Sequence, residues 1–226
     1  STTSEFSSLF GFGSSSASTV CVLKALSELT NKKLSNKQLF DLAYKTVLDI
    51  QGKGSGFDVA AAIYGGTLYF FTGGKIIKPL IISNLPLIIC YSGVKADSVV
   101  LMNQVKELSD TYPEVISGIY NEIEKIIPLA KRTLVKNDWQ TVGELMNINQ
   151  GYLSALGVST QKLEDMIYAV RSAGGYGAKL SGAGGGDCIV GFAPKASISA
   201  IKKAIKSVGG EYIEIAANAQ GVRIES

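Results

Sequence analysis

The chain has 226 residues, 46% of them hydrophobic, with 22 Lys and Arg against 19 Asp and Glu for a formal net charge of +3, enough apolar material for one large or two small packed domains. The charges are spread without a basic block, which leaves no footprint for duplex nucleic acid or an anionic membrane surface, while mild basicity suits a small anionic ligand. Histidine is absent, so Ser-His-Asp and Cys-His nucleophilic sites, histidine bases and His-containing zinc sites are excluded, and proton transfer falls to Asp, Glu, Lys, Tyr or Cys.

In chain order, Ser4 and Glu5 lead into a glycine and serine turn, Gly11 to Ser16, followed by an apolar helical pattern through Val20, Leu23, Leu26 and Leu29. A second helix is expected from Asn36 to about Ile50, capped by Ser35, with Leu39, Leu42, Ala43, Thr46 and Val47 facing inward. A glycine-rich turn, Gly52 to Gly56, opens a short helix that ends near Gly65 and Gly66. Strands are expected at Thr67 to Phe71 and Ile76 to Ile82, separated by Thr72-Gly73-Gly74, and again at Pro86 to Tyr91. From Ala96 to Ala173 the pattern is helical, in four stretches broken at Pro113, near Asn137 and at Gly157. A glycine cluster follows, then a strand Cys188 to Phe192, a helix Ile198 to Val208, and strands Glu211 to Ala216 and Val222 to Glu225. The change from mixed structure to helices places a boundary near Gly93, dividing the chain into 1–93 and 94–226.

Cys21, Cys90 and Cys188 are far apart and lack metal-ligand spacing, which reads as reduced thiols in a cytoplasmic protein. No apolar run reaches the roughly 18 residues that span a bilayer, and Ser1 to Glu5 show no export signal. A monomer or homodimer is expected.

Three stretches carry chemistry. Gly11-Phe12-Gly13-Ser14-Ser15-Ser16 ends at a helix start, where unpaired N–H groups and the positive end of the helix dipole suit a phosphate. No Lys follows the last glycine, so it is not a Walker A loop, and a plain helix cap is the alternative. In Gly52-Lys53-Gly54-Ser55-Gly56-Phe57-Asp58, Asp58 opens a helix, either as a partner of the helix dipole or as a catalytic base. Lys53 could bring positive charge to the same pocket or simply be solvated. In the third, seven glycines fall within the thirteen residues 174–186. Such a run, around Lys179 to Cys188, is entropically costly and points to a second anion-accommodating turn rather than a bare hinge.

Taken together, in this order and spacing, the three stretches resemble the motifs of the galactokinase, homoserine kinase, mevalonate kinase and phosphomevalonate kinase (GHMP) superfamily. Gly54 to Ala62 and Ser181 to Cys188 are similar to the phosphomevalonate kinase versions, with Asp187 where mevalonate kinases carry a further glycine. Gly143 to Asn149 and Leu153 to Thr160 also resemble mevalonate kinases. The resemblance implies an α+β fold, with an N-terminal part like ribosomal protein S5 domain 2 and a ferredoxin-like C-terminal domain. It implies ATP and Mg²⁺, with Gly11, Phe12, Gly13, Ser14, Ser15 and Ser16 on the triphosphate and Ser15 on the metal. Asp58 becomes the base near the acceptor oxygen. Lys53, Ser55, Gly56, Ser181, Gly182, Ala183 and Gly184 become the residues that hold a small anionic substrate. Val47 stands where mevalonate kinases place a metal-binding Glu, which favours 5-phosphomevalonate as acceptor. Mevalonate is the alternative, and a diphosphomevalonate decarboxylase or an inactive nucleotide-binding fragment are alternatives of other classes. Family members begin with strands bearing a catalytic lysine, so the expectation is an N-terminal domain truncated at its start.

Overall fold

The computed structural model describes Thr3 and residues 10–225; the expected lead-in at Ser4 and Glu5 lies outside the described residues. The chain divides into two compact units. The first holds Phe12–Ile82 together with 216–225, and the second holds Phe10, Gly11 and Ser83–Ile215.

The first unit begins with α1 (Ser14–Leu29) and α2 (Asn36–Gln51). Ser35 starts α2 with a reciprocal cap, its hydroxyl accepting from the Gln38 N–H at 3.3 Å while the Gln38 side chain accepts from the Ser35 N–H at 2.9 Å. The inward stripe of α2 is Leu39, Phe40, Ala43 and Val47, while Leu42 is 45% exposed. The expected face is therefore rotated toward Phe40, whose ring stacks on Tyr44 at 5.5 Å and meets Phe70 at 6.3 Å. On α1 only Val20 of the four expected positions is buried; Leu23 packs against the core, and Leu26 and Leu29 are exposed. A short α3 (Phe57–Tyr64) packs on both helices, and Val59, Ala60 and Ile63 complete the core with Val20, Leu39, Phe40, Ala43 and Val47. An antiparallel pair, β1 (Thr67–Phe70) and β2 (Ile77–Leu80), follows in the register Thr67↔Leu80.

The chain returns to this unit at its end. Ala219 accepts from the Gly66 N–H at 2.8 Å and the Val222 N–H donates to the Ala62 carbonyl at 2.9 Å. The strand expected at Val222 to Glu225 is not formed; an isolated bridge joins Gly65 and Gln220 instead. Its partner is the end of α3, which offers no ladder to extend.

The second unit is a four-stranded antiparallel sheet with helices packed on it. Its strands are β3 (Leu87–Tyr91), β4 (Gly177–Leu180), β5 (Cys188–Phe192) and β6 (Glu211–Ile213), in the order β4-β5-β3-β6. The helices are α4 (Ser98–Thr111), α5 (Pro113–Val135), α6 (Trp139–Ala155), α7 (Gln161–Ser172) and α8 (Ile198–Ser207). Asp97, Asp138 and Thr160 cap α4, α6 and α7 with side-chain oxygens, and Pro113 opens α5, where its missing N–H costs nothing. Ile88, Leu163, Met166, Leu180, Ile189, Ile201 and Ile205 form the dry centre. None of the helices is long and apolar enough to cross a membrane, among the described residues.

Two further points depart from the sequence reading. β4 was not expected, because a glycine-rich tetrapeptide containing Lys179 lacks the β-branched signature of a strand. The division also does not fall near Gly93: β3 pairs with β5 and β6 and so belongs to the second unit, while 216–225 belong to the first.

Candidate active site

In the first unit, the phosphate-loop candidate ends at Gly13, which takes the left-handed conformation (φ 73°) as N-cap of α1 and supplies no side-chain cap. The first helical bond is from the Ala17 N–H to the Gly13 carbonyl at 2.9 Å. The preceding amides of Ser14, Ser15 and Ser16 are thus left to something other than a capping side chain. Ser16 is 1% exposed, and its hydroxyl donates to Asp58 Oδ2. Asp58 stands in the first turn of α3, and its Oδ1 accepts from the Val59 N–H at 3.0 Å. A side chain at Gly13 would begin 3.0 Å from the Asp58 Cβ, so glycine there serves both the backbone turn and the approach of the acid. Sequence reasoning left Asp58 between a dipole partner and a base. The structure directs its carboxylate at the amino end of α1, which is more than its own helix requires.

The turn before Asp58 is fixed from behind. Tyr44 Oη donates to the Gly54 carbonyl at 2.7 Å and the Gly73 N–H donates to the Ser55 carbonyl at 2.9 Å. Gly56, at φ 85°, lies against Tyr44, where a Cβ would meet the ring at 2.8 Å. Ser55 and Gly56 therefore have a defined place next to Asp58, whereas Lys53 is exposed. Val47 is 5% exposed in the apolar core, so this position holds up α2 and supplies no ligand.

In the second unit, the turn after β4 is built by close packing. Gly184 and Gly185 have φ of 88° and 74°. A Cβ on Gly184 would lie 2.2 Å from the Val158 carbonyl oxygen, and the Gly185 N–H donates to that same carbonyl at 2.8 Å. Much of the glycine run is thus explained by packing. Gly182 differs: its φ is 71° and nothing lies within 4 Å of where a Cβ would be. Ala183 borders a cavity of about 440 Å³ walled by Leu101, Val105, Leu153, Leu156 and Val158.

The support for this turn was missed in the sequence. β4 is an edge strand, and its outward N–H groups are taken by side chains of α6: Asn147 Oδ1 accepts from Ala178 N at 3.1 Å and Gln150 Oε1 from Leu180 N at 2.9 Å. Their spacing of three puts both on one face of the helix. Gln150 is 2% exposed, and its amide also donates to Ser159 Oγ and Glu164 Oε1, both at 2.9 Å. Burial pushes the Glu164 carboxyl up, but the hydroxyls of Ser154 and Ser159 and the Gln150 amide outweigh it and hold it below its usual value. Lys179 Nζ donates to the Leu180 carbonyl at 2.6 Å, and loss of water pushes its ammonium down to about 8. The two buried thiols, Cys90 and Cys188, are each pushed up to about 12 by burial, which makes them poor nucleophiles at neutral pH.

Residues 1–66 match the family described as GHMP kinases N terminal domain, and residues 130–211 match GHMP kinases C terminal. The chain is 36% identical over 220 residues to a mevalonate kinase of Thermococcus gammatolerans, covering 95% of this chain and 65% of that protein. It is 30% identical to a mevalonate kinase of Aeropyrum pernix, covering 95% and 67%. The crystal structure of L. major mevalonate kinase in complex with R-mevalonate superimposes with a TM-score of 0.77 at 30% identity, over 86% of this chain and 61% of that one. This chain therefore spans about two thirds of the length of these relatives. These relatives are mevalonate kinases, whereas the sequence reading of Gly54 to Ala62, Asp187 and Val47 leaned toward phosphomevalonate kinase. With both halves matched and the α+β architecture in place, the chain belongs to the GHMP kinases.

Proposed function

We propose that the protein is an ATP-dependent phosphotransferase that moves the γ-phosphoryl group of ATP to the primary hydroxyl of mevalonate. The observation that carries this reading is the Asp58 carboxylate, bonded to Ser16 at an amino end of α1 that has no side-chain cap. An acid aimed at a phosphate-binding helix terminus is placed to accept the proton of an alcohol as that alcohol attacks phosphorus. The similarity to mevalonate kinases supports an alcohol as the acceptor, for which a base is useful; a phosphate acceptor is already ionised and needs one less.

In this reading the backbone of Gly11, Phe12, Gly13, Ser14, Ser15 and Ser16 receives the phosphates of Mg²⁺·ATP, with the exposed Ser15 hydroxyl on the metal ion that the nucleotide brings. Ser55 and Gly56, fixed from behind by Tyr44 and Gly73, hold the acceptor beside Asp58. Lys53, exposed beside that turn, is assigned to the mevalonate carboxylate. Positioning and charge neutralisation then supply most of the acceleration, because the loose transition state of phosphoryl transfer asks for little covalent assistance. A coupled assay of ADP release with mevalonate and 5-phosphomevalonate side by side tests this. Turnover with mevalonate is expected; turnover with phosphomevalonate alone would replace the acceptor, and turnover with neither would remove the reading.

A further inference from the structure

Asp187 lies in none of the roles above, yet its conformation is costly and its neighbours are specific. It is a non-glycine residue at φ 52°, a region that L side chains enter only when the surroundings hold them there. Its N–H donates to the Val94 carbonyl at 2.7 Å, and its own carbonyl accepts from the Ser92 N–H at 2.8 Å. Oδ1 takes the Lys95 ammonium at 3.1 Å and the Ala96 N–H at 3.4 Å. With the backbone and one oxygen fixed, the other oxygen is directed at Gly11: a Cβ built there would sit 2.9 Å from Oδ2 and 3.0 Å from the carboxyl carbon. The next residue continues the contact, Cys188 Sγ donating to the Phe10 carbonyl at 3.4 Å, and the Phe10 ring meets Tyr91 edge-on at 5.2 Å. Phe10 and Gly11 belong to the second unit together with Asp187 and Cys188.

We propose that Asp187 is a positioning residue that holds Gly11, the first residue of the phosphate loop, in its left-handed, nucleotide-receiving conformation, with Lys95 neutralising a carboxylate that would otherwise repel the triphosphate. The functional half of this rests on the reading of Gly11 to Ser16 as the nucleotide loop. A glycine at 187 would meet the same backbone demand without strain, so what aspartate adds is the side chain over Gly11. Ordering that residue before ATP arrives removes part of the entropy that binding must otherwise overcome. Lys95 is half exposed and Asp187 mostly shielded, so the pair keeps the acid in place without presenting net negative charge.

The test uses Asp187→Gly, Asp187→Asn, Lys95→Met and the double variant Lys95→Met with Asp187→Asn, and measures three quantities. These are amide exchange at Gly11 to Gly13 without ligand, the Kd of a non-hydrolysable Mg²⁺·ATP analogue, and the Kd of mevalonate. Asp187→Gly should exchange faster and bind the analogue about tenfold more weakly, with mevalonate binding within about twofold of wild type. Asp187→Asn keeps the shape and should stay near wild type. Lys95→Met should weaken the analogue in a salt-dependent way and be rescued in the double variant. Unchanged exchange and nucleotide affinity in Asp187→Gly would overturn the proposal, as would equal loss for both ligands together with a lowered Tm, the mark of a merely structural residue. If the wild type binds no ATP analogue, the nucleotide reading fails, and the exchange measurement alone decides whether Asp187 fixes Gly11.

Discussion

The glycine turn that opens α1 and the glycine turn that follows β4 look alike as sequences and are built for different reasons. At Gly13 the residue takes a left-handed conformation, leaves three helix amides without a capping side chain, and makes room for the Asp58 side chain. At Gly184 and Gly185 the reason is crowding, with Val158 and Leu101 pressed against the backbone. Only Gly182 in the second turn faces open space. Glycine density therefore marks close approach, and the identity of what approaches decides whether the site is for a ligand or for the fold.

Substitutions can break or sharpen this contrast. The largest effect is expected for Gly184→Ala, whose methyl would meet the Val158 carbonyl oxygen at 2.2 Å in addition to backbone strain; a loss of about 3 kcal/mol or more should appear in urea unfolding. Gly182→Ala, with the same sign of φ and no neighbour, should lose only about 1 kcal/mol. Equal losses at the two would show that crowding is not what the second turn is built on. Next comes Gln150→Leu, which strands the Leu180 N–H and removes two donors from Ser159 and Glu164; about 2 kcal/mol is expected, with faster amide exchange through 180–186. In the first unit, Ser35→Ala removes the cap of α2 and should cost about 1 kcal/mol while leaving exchange in that turn unchanged.

A pH slope also belongs to the second turn. Burial pushes the Lys179 ammonium down to about 8 in the folded protein, below the 10.5 usual for a lysine. Between those values the unfolded chain binds more protons than the folded one, so stability rises as pH increases through that window. Lys179→Met should flatten this rise in thermal melts taken from pH 8 to 10. A slope that survives the substitution would assign it elsewhere.

How far the sequence revealed these features follows from the physics of each. Helices α1 to α8 were legible because apolar spacing, glycine and proline breaks and, for α2, the Ser35 cap act locally. Asp58 and Gly11 to Ser16 were legible as types of residue at helix starts. Their meeting, through the Ser16 hydroxyl, joins positions 42 residues apart and has no local signal. β4 was hidden because its outer edge is completed by Asn147 and Gln150 rather than by a strand. That pair could have been suspected from two amides three apart on a helix otherwise turned toward apolar neighbours. The rotated face of α2 was missed because Phe40 is claimed by aromatic partners from α2 and β1, a tertiary choice that periodicity does not carry. Asp187 and Val47 were weighed as markers of the acceptor; in the structure Val47 packs in the core of the first unit and Asp187 lies against Gly11, placements that no local pattern announces.

The most direct test of the account is Asp58→Asn, assayed for ATP-dependent phosphorylation of mevalonate alongside the Kd of the ATP analogue and the unfolding midpoint. The amide keeps an oxygen for the Ser16 hydroxyl or the Val59 N–H and keeps the shape of the side chain, so fold and nucleotide binding should persist. Loss of the base should lower kcat by about a thousandfold. Turnover within a few-fold of wild type would contradict the assignment of Asp58 and, with it, the mechanism built around the amino end of α1.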